Sequence, residues 1–331
     1  MAEEAIMRFL MERGGRGALQ SEISESLGFS RSTISYFLSR LESEGKIVRK
    51  REPNVGYRVW LRGFESDSKL LKIGIVRAAE YPFIFELKSS LEDKGYSVYV
   101  KVYDDGVALM SDLVAGKIDA GFSPLITQLM FYAAFRGRFK IVASGVSGGG
   151  SIILRRGVEL SDVKKAGSTM ASTMDACLKA YLRDKGLSDV EVIYFDNPRS
   201  MIEALDKGVV QMLSIWEPYS SILEVKGHRR IARFTDYLGD FPCCVLAINP
   251  IDEESLNSII EELKRALSRK NYTSEVSKLS NLLGVDLRLI QKCIKEYEFH
   301  SEFTIKEVKE YLRNVGLEMT SSWMLKGLRA G

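Results

Sequence analysis

Hydrophobic positions follow three regimes along the 331 residues. In the first, over about 1–62, Ile6, Met7 and Leu10 mark one face of a helix and GGRG at 14–17 breaks it. A short helix over about 20–27 buries Ile23 and Leu27, and Gly28 sits where a left-handed C-cap belongs. Ser30 N-caps a longer helix running to about Glu44, whose Ile34, Phe37, Leu38 and Leu41 recur at helical spacing. Ile47 and Val48, a turn-rich REPNVG at 51–56, and the returning Tyr57, Val59 and Leu61 read as a hairpin.

A polar stretch, GFESDSK at 63–69, ends this regime. Strands and helices then alternate: LKIGIV (71–76), a helix at 82–95, a strand at 96–104, a helix at 107–116, a strand at 118–124, a helix at 125–137 and a strand at 139–145. After SIILRRG (151–157) a second series runs as strand KAGST, helix 172–186, strand 190–195, helix 200–208 and strand 210–218. Such alternation predicts mostly parallel, doubly wound sheets. The third regime, 252–327, reads as helical. The expected division is 1–62, a linker at 63–69, and a two-lobed α/β domain at 70–331, with lobe 1 at about 70–157 and 245–331 and lobe 2 at about 158–244. The cleft between lobes is the natural ligand site, because open α/β sheets bind at the carboxyl ends of their strands.

Charge refines the first regime. The whole chain carries only +3, but residues 46–62 hold six basic residues (Lys46, Arg49, Lys50, Arg51, Arg58, Arg62) against Glu52, while residues 1–45 hold five basic and seven acidic ones. Positive charge therefore concentrates on the hairpin, where it can lie along phosphates. The long helix presents Arg31, Ser32, Thr33, Ser35, Tyr36, Ser39 and Arg40 outward, short hydroxyls and arginines suited to base edges and backbone in a major groove. The plain alternative is a solvated helix face. Glu3, Glu4, Arg8, Glu12 and Arg13 interrupt the stretch where an export signal needs an apolar core, so a cytoplasmic protein with no membrane span is expected. Cys177, Cys243, Cys244 and Cys293 form no CxxC pair, which suits free thiols in a reducing compartment. With two histidines, no metal site and no cofactor are expected.

The segment LQSEISESLGFSRSTISYFLSRLESEGKIVRK resembles the winged helices of prokaryotic, especially archaeal, transcriptional regulators. That resemblance implies an N-terminal α+β winged helix bound to double-stranded DNA through Arg31, Ser32, Thr33, Ser35, Tyr36, Ser39 and Arg40, with Arg49, Lys50, Arg51 and Arg58 on the hairpin.

LVAGKIDAGFSP, FKIVASG before a glycine-rich turn, AGSTMASTMDACLKAYLRDKGL, SMIEALDKGVVQMLSIWEPYSS and DFPCCVLAIN resemble, in order, the type II periplasmic solute-binding proteins serving nitrate, sulfonate, taurine and thiamine-pyrimidine uptake. The resemblance and the strand-end rule imply a ligand site built from Tyr81, Ser123, Gly149, Gly150, Ser168, Thr169, Ser172, Thr173, Trp216 and Glu217. Tyr81 is placed to stack on a planar ligand or to serve structure. Gly148 to Gly150 serve either a hinge or close backbone approach. Glu217 either accepts from a ligand amine or pairs with Arg199 or Lys207. Cys243 and Cys244 are read as packing residues.

Together these imply a ligand-responsive transcriptional regulator, a homodimer on DNA, whose effector is a sulfonate, nitrate, a pyrimidine precursor or a similar small molecule. The join is analogous to that of LysR-type regulators but lacks their long linker helix. The alternative is an enzyme on the same fold, such as a thiamine-pyrimidine synthase; yet neither His228 nor His300 falls on a predicted cleft loop, and no nucleophile–base pair stands out.

Overall fold

The computed structural model describes residues 2–52, 55–64, 69–269, 271–316 and 328–329. The chain forms two compact units, Met1–Leu71 with Lys88–Tyr99, and Lys72–Leu87 with Val100–Gly331.

The first unit starts with α1 (Ala2–Arg13), a short β1 (Ala18–Leu19), α2 (Gln20–Leu27), α3 (Arg31–Ser43), β2 (Ile47–Glu52) and β3 (Gly56–Leu61). The three strands make an antiparallel sheet in the order β1-β3-β2, with Ile47 opposite Leu61 and Arg49 opposite Val59. Gly28 ends α2 with φ of 68°, and the Ser30 hydroxyl caps α3 by accepting from the Thr33 amide at 3.1 Å. Ile6 and Leu10 of α1 meet Ile23, Ile34, Leu38, Leu41, Ile47 and Val59 in one fully buried core. Burial at this many apolar side chains, each worth about 1.5–3 kcal/mol, is what holds three short helices together. The predicted turn at 51–56 and linker at 63–69 fall partly on 53–54 and 65–68, outside the described residues.

The rest of the chain continues as β4 (Lys69–Val76), α4 (Phe83–Asp93), β5 (Tyr96–Tyr103), α5 (Gly106–Val114), β6 (Ala120–Pro124), α6 (Leu125–Ala134) and β7 (Lys140–Gly148). Next come β8 (Gly150–Leu154), β9 (Lys165–Ser168), α7 (Thr173–Asp184), β10 (Glu191–Tyr194), α8 (Pro198–Asp206), β11 (Met212–Trp216), α9 (Tyr219–Val225), β12 (Arg229–Arg233) and α10 (Thr235–Leu238). It closes with β13 (Cys244–Ile248), α11 (Glu253–Leu267), α12 (Thr273–Leu283), α13 (Leu287–Cys293), β14 (Tyr297–His300), α14 (Ile305–Asn314) and β15 (Leu328–Arg329).

Two sheets result. One runs β14-β7-β13-β6-β4-β5, with β15 beside β7; the other runs β10-β9-β11-β8-β12. β6, β8, β11 and β13 are buried at every residue, as continuous apolar runs covered on both faces must be. The sheets are mixed, which corrects the mostly parallel expectation. β13 lies antiparallel between β6 and β7, and β8 runs antiparallel to both β11 and β12. Simple βα alternation fails because the chain crosses between sheets twice, after β7 and again before β13, and each crossing reverses strand direction. β8 pairs in the second sheet, so that sheet begins at Gly150, ahead of the expected boundary at 157. The stretch 252–327 is not purely helical either: Tyr297–His300 adds a strand to the edge of β7.

The first crossing explains the glycine run. Gly148 and Gly149 have φ of 84° and 68°, and a Cβ on Gly149 would stand 1.8 Å from the Tyr297 ring. Only glycine combines this backbone with that contact.

Candidate functional site

Two surfaces bear on function. On the first unit, α3 leaves Arg31, Ser32, Ser35, Tyr36, Ser39 and Arg40 exposed, with Thr33 half-buried and Tyr36 65% exposed. Ser32 and Thr33 hydroxyls both lie 2.8 Å from the Ser30 hydroxyl, which orders the helix start. Lys50 and Arg51 are exposed on β2. Neighbouring acids offset part of the hairpin's charge. Arg49 is half-buried and binds Glu42 and the Ser39 hydroxyl, Arg40 binds Glu44, and Lys46 binds Glu3 and Glu44.

Arg58 departs from its expected place on the outer hairpin. It is 1% exposed and its Nε donates to Glu52 at 2.8 Å. β3 is the middle strand, and Arg58 stands between Leu19 of β1 and Lys50 of β2. A side chain there is flanked on both sides, so its charge serves the fold.

In the second unit a cavity of about 40 Å³ lies between the two sheets, and a groove of about 630 Å³ shares Asp105, Gly106, Thr169 and Ser172 with it. Strand ends and helix starts converge here. Asp105 caps α5 by accepting from the Ala108 amide at 2.8 Å, and Ser172 caps α7 by accepting from the Asp175 amide at 3.2 Å. Asn197 caps α8 in the same way beside the groove. Trp216, Phe234, Tyr297 and Met174 supply apolar wall, while Glu80, Cys243, Cys244, Thr169 and Ser172 supply polar atoms. Among the described residues lining cavity and groove there is no Lys, Arg or His, but there are Glu80, Asp105 and Asp196. A nitrate or sulfonate would find hydroxyls and amides there, with no cationic side chain to offset the carboxylates.

Burial pushes the Glu80 carboxyl up from its usual range, against hydrogen bonds with Cys244 and Tyr81 that lower it. Burial also raises the Cys244 thiol, reinforced by Cys243 and Glu80 beside it.

Of the ten expected ligand residues, Gly150, Thr169, Ser172 and Trp216 line the cavity. The other six lie behind its wall. Tyr81 is fully buried against Phe83 and Phe122. Ser123 faces Gln128, and Gly149 packs under Tyr297. Ser168 is fully buried on β9, and Thr173 lies between Cys243 and Tyr311. Glu217, also fully buried, accepts from Arg230 at 2.7 Å, the Ser221 amide at 3.1 Å and the Cys293 thiol at 3.2 Å, so neither a ligand nor Arg199 or Lys207 is its partner. Alternation along β6 and β9 directs Ser123 and Ser168 away from the cleft, and the turn after β11 does the same for Glu217.

The residues missed include Asp105, Phe234 and Tyr297. Asp105 carried a signal, as an N-cap after a strand. Tyr297 carried none, because it reaches the cavity from the far C-terminal part of the chain.

The halves are joined across the cleft. The Trp216 indole donates to the Arg77 carbonyl at 2.9 Å, the Ala79 amide to the Glu217 carbonyl at 3.0 Å, and the Thr127 hydroxyl to the Ala171 carbonyl at 2.7 Å. His228 binds Asp206 and His300 lies 2.8 Å from the Ser147 hydroxyl; neither is among the described residues lining the cavity. No described helix is long and apolar enough to cross a membrane.

Comparison with known proteins places this arrangement. Solved structures similar to the chain include the ligand-binding component of an ABC-type import system from Staphylococcus aureus, solved with zinc bound (18% identity, 77% of this chain and 92% of that one, TM-score 0.67). Another is the alkanesulfonate-binding protein SsuA from Xanthomonas axonopodis pv. citri bound to MOPS (17% identity, 80% and 100% covered, TM-score 0.68). A third is the periplasmic nitrate-binding protein NrtA from Synechocystis PCC 6803 (14% identity, 80% and 86% covered, TM-score 0.63). These likenesses show a two-lobed solute-binding fold, and the named neighbours are ligand-binding proteins. No curated protein matches the sequence. Residues 1–52 match a domain of unknown function (DUF7343). Residues 66–250 match the NMT1-like family, and because that span exceeds half of the chain, the protein belongs to the NMT1-like family.

Proposed function

We propose that the protein is a ligand-responsive DNA-binding regulator: the first unit is a winged helix, and the solute-binding fold serves as its sensor. The observation that carries this reading is the outer face of α3, where Arg31, Ser32, Ser35, Tyr36, Ser39 and Arg40 stand exposed on a helix held by its buried side. A helix, a short helix, a longer exposed helix and a two-stranded hairpin follow in the order a winged helix uses, and Lys50 and Arg51 are exposed on the hairpin, where they can meet phosphates. A single reader of this size covers a short site, so a homodimer on a repeated or palindromic operator is part of the proposal, as is a cytoplasmic location.

The effector occupies the cleft. Two of the structural neighbours are an alkanesulfonate-binding and a nitrate-binding protein. The carboxylate-rich lining here supports an uncharged or cationic molecule over a free anion. Coupling requires that the effector bind one lobe arrangement better than another, and the Thr127–Ala171 bond is one contact that lobe opening would break.

The test is gel retardation and fluorescence anisotropy of the full-length protein on fragments from its own genomic neighbourhood. One fragment is expected to bind at least ~1000-fold more tightly than random DNA. Uniform weak binding to every fragment, with ligand binding retained, would leave an import-type binding protein as the better reading.

A further inference from the structure

We propose that Glu80, Cys243 and Cys244 form a site for a thiophilic divalent cation, with zinc(II) as the fitting ion, in the wall of the cavity. The three residues are 4%, 5% and 4% exposed, and one donor atom from each lies within 4.8 Å of the others. The two sulfur atoms stand 3.9 Å apart. Two zinc–thiolate bonds of about 2.3 Å at a tetrahedral angle hold their sulfurs about 3.8 Å apart, so this pair needs almost no movement to receive the ion.

The backbone makes that spacing possible. Successive side chains on a strand point to opposite faces. Cys244 is the first residue of β13, and Cys243 precedes it on the crossing segment. There the Cys243 amide donates to the Val146 carbonyl, and its own carbonyl accepts from the Leu125 amide at 2.6 Å. Both thiols consequently line the same cavity. Buried cysteines usually act as small hydrophobes, but that role does not call for a buried carboxylate beside them.

The third donor is held in place: Glu80 is buried beside the thiols and hydrogen-bonds with Cys244 and Tyr81. On binding, the two S–H bonds break and two metal–sulfur bonds form, the two thiol protons and any proton held by the Glu80 carboxyl leave to solvent, Glu80 adds an oxygen, and no electron transfer is involved. The Thr173 hydroxyl, 3.7 Å from the Cys243 sulfur, then donates to the thiolate. The fourth position opens on the cavity, where water or a donor atom of a ligand completes the tetrahedron.

This inference stands on the second unit alone and does not depend on DNA binding. Full-length protein, purified under reducing conditions and stripped with chelator, is titrated with cobalt(II) and then with zinc(II). One equivalent of cobalt per chain is expected to give a thiolate-to-metal charge-transfer band that zinc abolishes. Cys243→Ser and Cys244→Ser are each expected to lose the band, and Glu80→Gln to weaken uptake at least ~10-fold. On wild-type protein, zinc is expected to slow alkylation of Cys243 and Cys244 but not of Cys177, which lies outside the cavity. This readout needs no variant to fold. A missing thiolate band with folded protein, or equal uptake by the double Cys243→Ser, Cys244→Ser variant, overturns the proposal while leaving any DNA retardation unaffected.

Discussion

Glu217 offers the sharpest division between a ligand residue and a structural one. Its carboxylate is fully buried and faces Arg230, itself 10% exposed, which also binds Glu224 at 2.8 Å and Glu296 at 3.2 Å. Arg230→Met keeps the bulk but withdraws the guanidinium, leaving the Glu217 charge with one amide and one thiol. Stranding a buried charge costs about 3–5 kcal/mol. Glu217→Gln is milder, about 1–3 kcal/mol, because Arg230 keeps two other carboxylates. The double variant removes the stranded charge as well, so it is expected to be no less stable than Arg230→Met alone. That outcome corresponds to a coupling of about 1–3 kcal/mol. Urea unfolding at neutral pH, followed by circular dichroism, reads these differences. At about 2–3 kcal/mol/M for a unit of this size, Arg230→Met moves the midpoint down by about 1–2 M. A midpoint within about 0.3 M of wild type would refute the buried-network account. So would a Glu217→Gln variant that unfolds normally but loses effector binding, since that would return Glu217 to the ligand site.

Other expectations follow from the same geometry. Arg31→Ala and Arg51→Ala are expected to weaken DNA retardation and flatten its salt dependence by about one ion each, whereas Arg58→Ala lowers the thermal midpoint of the first unit; equal effects on DNA binding from all three would contradict the buried placement of Arg58. Gly149→Ala meets both a φ of 68° and the Tyr297 ring, for a loss of about 2–5 kcal/mol. Gly157→Ala meets only its φ of 71°, with open space around it, and costs about 1 kcal/mol; indistinguishable unfolding midpoints would refute the close-contact argument. Asp112 is held down to about 2 by hydrogen bonds from Lys101, Lys117 and Tyr103. Its stabilising contribution is therefore complete above pH ~4 and lost as pH falls through about 2. Asp112→Asn is expected to cost about 1 kcal/mol at pH 7, discounted for the exposed lysines, and progressively less as pH falls to about 2 and below, a trend that acid-range thermal melts can check.

The helices and strands of the first unit were legible because each carries its own punctuation. Gly28 and Ser30 bracket the α2–α3 turn, and Ile34, Leu38 and Leu41 repeat at a helical period that survives any tertiary arrangement. Strands in the second unit were legible where apolar runs are buried on both sides, as in β6 and β11. β12 and β14 went unread because RRIAR and YEFH are short and half polar, and their pairing partners lie far away in sequence. The cleft was legible as a region, because strand ends and N-caps announce it. Its membership was less so: Thr169, Ser172 and Trp216 reach it, while Ser168, Thr173 and Glu217, one residue away, do not.

The sequence by itself determined the local periods, the caps and the concentration of basic residues on one hairpin, since each depends on neighbours within a turn or a strand. Tertiary structure alone decided which of those residues are available. It buried Arg58 in a middle strand, paired Glu217 with Arg230, and brought Glu80 to Cys243 and Cys244 from more than 160 positions away. The physical reason is that burial, charge pairing and donor geometry are set by contacts across the fold, and a one-residue change of facing moves a side chain from cleft to core.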